Sequence, residues 1–590
     1  MSNEPDISDP VSRRLFADGF SELERRFDPN AGLVWVDGND SLHDLRDSLW
    51  YALCLLLRGA PEPAEVIISR VLGTQVTDPN DHHRGNFRWF YEVEPVSDLN
   101  AVEFILERLV NILCSSSDRI SFQSRSLIHN SMRLGFDEVR RLDVHWTYTN
   151  IFLLDVHNSI LGGQLLGDAA LLQRGVARLK DWFERTRSAG APHEFNSPTY
   201  SAVQIIALAG IARFAEDADV RGLAKEAEKF LWIHVARHFH APTRQLAGPH
   251  SRAYRRDVTG SVGFLKVLLY KVLGDERLLA STPYYSGPGR EGDVIVSLTN
   301  FNPPPEALDM LRLTEEREVI ETASPDQVLT TYLRPEFALG TMSREYSVGE
   351  PPEPWAQQNS CYLTYRKGEP QGYGVVYCRY LVNERRAGDS PYASSGTPVD
   401  LWDDGLFRTA QSGRVAIVAY GTLPHGRRPV HSLRLDIRML GPDSGSTILL
   451  GVDAWDGSEA TLDAGQCLTV SDGDVHIGII PLTTDCLNPH APVVLGRDGP
   501  ELVLSAYNYH GPPKTFWEYR SLSGPFYNRN VLNGFIVVAE PRSNRPSTEF
   551  ARLLQSASVD DRLDGVQRRI TCDSVFGHVA LVFDLRRLRL

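Results

Sequence analysis

Four stretches of the sequence concentrate side chains able to move protons or meet acidic groups. In AGPHSRAYRRD, His250, Arg252 and Tyr254 alternate, so an extended backbone would turn all three to one side. Arg255, Arg256 and Asp257 follow directly. In HEFNSPTY, helix initiation explains Ser197 and Pro198 but not Glu194, Asn196 or Tyr200. In HWTYTNIFLLDVHNS, Asn150 occupies an aromatic and apolar helix start, where Asn needs a cap or a functional task. The fourth stretch, DHHRGNFRWFYEVEPVSDLN, sets His82, His83, Arg84 and Arg88 beside Trp89, with Asp98 and Asn100 close behind. Cations beside a ring face suit a sugar that carries carboxylate groups.

These residue types fit one kind of chemistry. Abstracting the proton next to a uronate carboxylate builds negative charge on that carboxyl group, and Asn, His or Arg can donate hydrogen bonds to it. A Tyr phenol or a His then acts as base, and the same or a neighbouring group protonates the leaving glycosidic oxygen. No metal or organic cofactor is required. His234, His238 and His240 invite a metal reading, because His234 and His238 can share a helix face. No HExxH-type Glu accompanies them. They are read as structural histidines, and no metal is expected.

The elements that must position these groups change character near residue 285. Before it the apolar period is helical, at about 41–59, 97–116, 120–140, 147–166, 168–188, 197–215, 219–238 and 258–273. Ser41 is a plausible N-cap of the first of these helices, which stops at Gly59. Serial helices of this length predict antiparallel hairpins arranged as an α/α toroid. After the turn-rich segment STPYYSGPGREGD come short runs rich in Val, Ile, Tyr and Thr, including EGDVIVSLTN, PDQVLTTYL, QGYGVVYCRYLV, HSLRLDIRML and NGFIVVAE. They predict antiparallel strands. The expected organisation is α+β multidomain: an N-terminal toroid over 1–280, a linker over 281–293 and a C-terminal antiparallel β-sandwich over 294–590. In the β part, Trp355 and Gln358, with Gln357 between them, and Trp517 offer ring faces and amides suited to sugar recognition.

Composition narrows the partners. The chain has 61 Lys and Arg against 75 Asp and Glu, a formal charge of −14, which argues against nucleic acid or an anionic membrane as a general partner. Its apolar runs fall short of the roughly 20 residues a membrane span needs. Seven cysteines without regular spacing predict free thiols rather than a disulfide framework. The polar N-terminus, MSNEPDISDP, shows no apolar signal region, so a cytoplasmic protein is expected.

The succession YTNI, EFNSPTY and AGPHSRAY on helices, followed by a β-sandwich, resembles heparinase II/III-like and alginate-lyase-like polysaccharide lyases. The resemblance covers most of the helical part and, in texture, the β part. It implies β-elimination on an acidic poly- or oligosaccharide without a cofactor. By it, Asn150 looks like the carboxylate-neutralising Asn and Tyr254 like the catalytic acid or base. His250 and Arg252 look like charge-stabilising neighbours, and Tyr200 like an alternative catalytic Tyr. Asn150 is followed by Ile151, so the family's Asn-His pair is absent and His193 or His250 is left to supply an imidazole. Arg88, Trp89, His83, Asn100, Glu194, Asn196, Trp355, Gln358 and Trp517 are the expected substrate-binding residues. Two other readings stand beside this one. A glycoside hydrolase on the same scaffold would use Glu194 and Asp257 as its carboxylates, with Asp98 a third. A non-catalytic carbohydrate-binding protein would keep the cleft alone.

Overall fold

The computed structural model describes residues 7, 9–94, 96–280, 282, 284, 292–355, 357–368, 372–384, 403–421, 429–484, 492–514 and 532–588. Helices dominate from Pro10 to Met310 and antiparallel strands from Arg317 onward, giving an α/α toroid followed by a β-sandwich. No helix among the described residues is long and apolar enough to cross a membrane.

Burial divides the helices into an inner and an outer set. Thr149–Leu166 is buried at every position from Thr149 through Gly163, and Tyr200–Phe214 is buried around most of its circumference, so neither has a polar stripe. Their neighbour Ala169–Ala189 buries one narrow stripe, Leu171, Gly175, Leu179, Trp182 and Thr186, at three- and four-residue spacing. The inner and outer helices cross closely. A β-carbon on Gly163 would lie 2.6 Å from the backbone nitrogen of Leu172, and one on Gly175 would lie 2.9 Å from that of Ile160. Asp168 caps the outer helix by accepting from the Leu171 amide at 2.9 Å.

The sandwich has a nine-stranded and a seven-stranded sheet among the described residues. The larger runs in the order Ala460–Thr461, Val493–Asp498, Glu501–Lys514, Val430–Leu440, Tyr373–Val382, Cys361–Arg366, Phe337–Met342, Gln327–Leu333 and Arg317–Ser324. The smaller runs Leu406–Ser412, Val415–Gly421, Asn533–Pro541, Val475–Pro481, Leu468–Asp472, Thr447–Leu450 and Asp453–Ala454. Alternate residues such as Cys378, Tyr380, Leu435 and Ile437 face Val418, Ile477 and Val537 of the second sheet in one core. Helix Ser547–Gln555 and the three strands Ser558–Asp564, Gln567–Ser574 and Gly577–Asp584 cover the outer face of the smaller sheet.

Two local expectations are corrected. The segment EGDVIVSLTN, expected as the first strand, forms helix Asp293–Leu298, whose Val294, Ile295, Val296 and Leu298 are all buried. It packs on helix Pro10–Arg25 at Gly19, where a β-carbon would come within 2.9 Å of Val294 Cγ2. Tertiary burial here overrides the strand preference of Val and Ile. A further helix, Pro305–Met310, follows, and the sandwich opens at Arg317–Ser324. The helix expected from Ser41 begins at Leu45, because Asp44 caps it by accepting from the Arg46 and Asp47 amides at 2.8 and 3.1 Å. Residues Asn39–Asp44 are a short strand.

Toroid and sandwich meet along residues 247–254. The Gly248 carbonyl accepts from Thr331 Oγ1 at 2.7 Å. Gly340 admits that close approach, since a β-carbon there would lie 1.7 Å from the Gly248 oxygen. His250 and Asn359 exchange backbone hydrogen bonds at 3.2 and 2.9 Å, and the Ala253 amide donates to the Gln357 carbonyl at 2.7 Å. On the other edge the Ser251 amide donates to the Phe195 carbonyl at 3.2 Å. The segment is thus a bridged stretch of backbone held between the toroid loop 193–200 and the sandwich.

Candidate functional site

The loop before helix Tyr200–Phe214 carries Glu194 into a fully buried position, 0% exposed. Four donors converge on its carboxylate. The Asn150 backbone amide lies 2.8 Å away, Asn150 Nδ2 2.8 and 2.9 Å, Gln204 Nε2 3.3 Å and Arg252 Nη1 3.3 Å. Burial raises the carboxyl pKa, and Arg252 and Asn150 oppose that rise. Asn150 therefore has its local task at the helix start: its amide nitrogen is spent on Glu194, and Oδ1 is enclosed without a partner.

Arg252 leaves Glu194 through the middle of an aromatic box. Its guanidinium carbon stands 4.0 Å from the Tyr200 ring centre, 4.8 Å from Trp355 and 5.4 Å from Tyr148. Gln357 Oε1 accepts from Arg252 Nη2 at 2.9 Å and from Trp355 Nε1 at 2.9 Å, so the sandwich closes one wall of the box. Arg252 Nη2 also donates to Tyr200 Oη at 3.0 Å, and Tyr200 Oη shares a short hydrogen bond with Tyr254 Oη. Burial disfavours charge on Arg252. The surrounding Tyr200, Tyr148, Tyr254 and Glu194 nevertheless hold its pKa well above the ordinary value. Burial also keeps the Tyr200 phenol well above its usual range and pushes Tyr148 up to about 12.

Tyr254 is held from below. Asp257 accepts from the Tyr254 amide at 2.8 Å and from Thr199 Oγ1 at 3.3 Å, which fixes the turn into the short helix Arg255–Thr259. The Arg256 guanidinium stacks 5.1 Å from the Tyr254 ring centre. Tyr200 and Tyr254 both stay partly exposed, while Glu194 and Arg252 do not.

The sequence-predicted residues divide accordingly. Asn150, Glu194, Tyr200, Arg252, Tyr254 and Trp355 gather in one constellation. Asn100 touches its edge, donating to Tyr148 Oη at 3.2 Å. His250 faces elsewhere: it is 2% exposed, its Nδ1 accepts from Asn359 Nδ2 at 2.9 Å and its Nε2 donates to the Leu246 carbonyl at 3.2 Å. Burial pushes its pKa down to about 3, so it is a neutral structural imidazole. His193 is likewise buried, against Tyr346 and the Ser347 carbonyl. Gln358 points into the protein and accepts from the Tyr346 amide at 2.8 Å. Asn196 is enclosed in a left-handed backbone conformation, φ 44°, with neither amide atom partnered. Arg88 pairs with Glu94 and the Tyr91 carbonyl, and Trp89 lies under Arg46 and against Phe104. His83, half-buried, sits in the same N-terminal corner, where its amide donates to Asp81. Trp517 lies outside the described residues.

One member of the box, Tyr148, was not singled out from sequence, and Gln357, read there only alongside Trp355 and Gln358, takes the place expected of Gln358. Tyr148 stands two residues before Asn150 in the quoted motif, and Gln357 stands one residue before Gln358. Only the side each residue faces separates them from their neighbours. Chemically, the constellation offers two coupled phenols, a donor-only guanidinium beneath them and a saturated carboxylate anchoring that guanidinium. Phenols and a guanidinium are not a metal-ligand set.

The family described as a domain of unknown function (DUF8769) matches residues 13–294. No curated protein matches. Among solved structures, the chain is similar to a chondroitin AC lyase of Streptomyces coelicolor A3, at 11% identity and TM-score 0.47, covering 96% of this chain and 85% of that one. It is also similar to a heparinase III gene product, at 8% identity and TM-score 0.37, covering 98% and 91%. A heparan sulfate lyase of Pedobacter heparinus follows at 10% identity and TM-score 0.30, covering 99% and 92%.

Proposed function

We propose that the protein is a carbon–oxygen lyase that cleaves uronate-containing poly- or oligosaccharides by β-elimination. The observation that carries this reading is the hydrogen-bond relay Arg252–Tyr200–Tyr254. Arg only donates, so the Tyr200 oxygen accepts there and passes its single proton toward Tyr254. A negative charge on the Tyr254 oxygen is then met by a phenol whose own polarity Arg252 reinforces.

In the reaction Tyr254, entering as the phenolate after its proton has passed to solvent, takes the proton from C5 of the uronate, and the C–H electron pair moves into the carboxyl group as an enolate-like intermediate. That pair returns to form the C4–C5 double bond as the C4–O bond breaks, and the phenol gives its proton to the departing glycosidic oxygen. Arg256, stacked on Tyr254, supplies the positive charge beside the acidic sugar. Trp355 and Tyr148 supply ring faces for the pyranose. Asn150 acts one step back, orienting Glu194 and through it Arg252, in place of the carboxylate-neutralising role expected of it.

The hydrolase reading would ask Glu194 to reach a glycosidic bond, but Glu194 is enclosed and saturated with donors. A panel of uronate-containing oligosaccharides, followed by the ultraviolet absorbance of the unsaturated product, tests the proposal. Release of reducing sugar without that absorbance would overturn it in favour of hydrolysis, and tight binding without any product would favour a binding protein.

A further inference from the structure

A second cluster lies away from the phenol pair, at the junction of toroid and sandwich. His234 and His238 stand one turn apart at the end of helix Ala218–His238, and Glu321 comes from strand Arg317–Ser324. All three are buried, and one ligand atom of each lies within 4.8 Å of the others. His234 Nδ1 is 2.6 Å and His238 Nε2 is 3.1 Å from the same oxygen, Glu321 Oε2. The other carboxylate oxygen is held by Arg237 Nη1 at 2.7 Å.

Counting protons exposes a conflict in this cluster. His238 Nδ1 is 2.8 Å from Thr331 Oγ1, and that hydroxyl donates to the Gly248 carbonyl at 2.7 Å. A hydroxyl has one hydrogen, so Thr331 can only accept from His238, and the proton of a neutral ring sits on Nδ1. Nε2 then turns a bare lone pair toward a carboxylate oxygen 3.1 Å away, acceptor against acceptor. Either a second ring proton or a cation must lie between them. A further orphan is His234 Nε2, which is enclosed with no hydrogen-bond partner among the described residues.

We propose that His234, His238 and Glu321 form a structural site for a divalent metal of the zinc class, fastening the toroid to the sandwich. Two imidazoles and a carboxylate are a zinc donor set, and Thr331 is the outer partner that fixes the His238 tautomer with Nε2 toward the ion. Donors about 2.0–2.1 Å from a tetrahedral ion stand roughly 3.3 Å apart. The His238–Glu321 pair at 3.1 Å nearly meets that spacing, while the His234–Glu321 pair at 2.6 Å must open. A turn of the Glu321 carboxylate about its soft terminal torsion supplies that movement while Arg237 keeps Oε1. The fourth position falls to water. The proposal is independent of the lyase reading.

The test is metal content and a spectroscopic signature on the untagged full chain. Elemental analysis after zinc loading and dialysis is expected to give close to one zinc per chain. Cobalt loaded into the stripped protein is expected to show the visible bands of a tetrahedral N/O site. Chelation is expected to lower the unfolding midpoint, and zinc to restore it. His238→Ala and Glu321→Gln should each lose the bound metal. Wild-type protein that takes up neither zinc nor cobalt stoichiometrically would overturn the proposal and leave a protonated His238 paired with Glu321. Metal retained in full by both variants would overturn it too, because the ion would then lie elsewhere. Should the variants fail to fold, the wild-type zinc content and cobalt spectrum decide alone.

Discussion

Replacing Glu194 by Gln probes the foundation of the phenol site without touching a phenol. Four donors face this carboxylate, so whichever oxygen becomes an NH2 meets another donor: Arg252 Nη1 on the Oε1 side, or the Asn150 amide on the Oε2 side. One buried donor is then unpaired, and Arg252 loses the anion that balances it. Removing one partner of a buried pair costs about 3–5 kcal/mol, which already contains the penalty of the orphaned donor. At roughly 2 °C per kcal/mol for a unit of this size, the helical transition should fall by about 6–10 °C. Scanning calorimetry of Glu194→Gln, Arg252→Met and the double variant measures it. The double variant should lose less than the sum of the two singles, because an uncharged site no longer holds a lone guanidinium. An unchanged midpoint in Glu194→Gln, or strict additivity in the double variant, would refute the buried pair and the anchoring role built on it.

Three further outcomes follow from the same geometry. Tyr254→Phe should lower kcat by about 10²- to 10⁴-fold, the usual worth of a general acid–base group, with little change in unfolding midpoint because the ring is partly exposed. Steady-state rates on the oligosaccharide cleaved fastest check this, and a loss below threefold would exclude Tyr254 as the base. His250 has a folded pKa of about 3 against about 6.5 in the unfolded chain, so its contribution to stability is complete above pH 6.5 and drains away as pH falls toward 3. His250→Gln should flatten that part of the stability–pH curve, and an equally steep curve would contradict the assignment. Finally, Gln357→Ala should raise KM by about 10- to 150-fold, since a hydrogen bond to a charged group is worth about 1.5–3 kcal/mol. Gln358→Ala should instead destabilise by about 1–3 kcal/mol, leaving the Tyr346 amide unpaired, with KM unchanged. A reversed pattern would mean the side-chain assignment is inverted.

The two-part architecture was legible because apolar periodicity changes from helical to alternating along the chain, and each period demands its own kind of packing. The run VIV at 294–296 misled because a short apolar run fits a strand or a buried helix equally well, and only the surface it meets, here Gly19 of the first helix, decides. Asn150, Glu194, Tyr200, Arg252 and Tyr254 stood out as polar groups that capping and packing did not explain, and they do assemble. Their division of labour was not legible. The alternation of His250, Arg252 and Tyr254 suggested one shared side, but pairing of the segment with Asn359 turns His250 into the sandwich. The choice of Gln358 over Gln357 failed for a related reason, since adjacent residues on extended backbone face opposite ways and nothing local sets the register. Glu321, some 87 residues from His234, completes a cluster that no local motif could announce.

The segment 247–254, held between loop 193–200 and the sandwich, determines how this polypeptide can be divided. A fragment ending near residue 294 would retain Tyr200, Arg252 and Tyr254 but forfeit Gln357, Trp355 and Asn359, which hold that segment in place. Its phenols would hang on an unsupported edge. The same dependence constrains chimaeras: a sandwich grafted from another protein must bring a glycine opposite Gly248 and amide side chains opposite His250 and Arg252. Modular in sequence texture, the chain is indivisible at the segment that carries its chemistry.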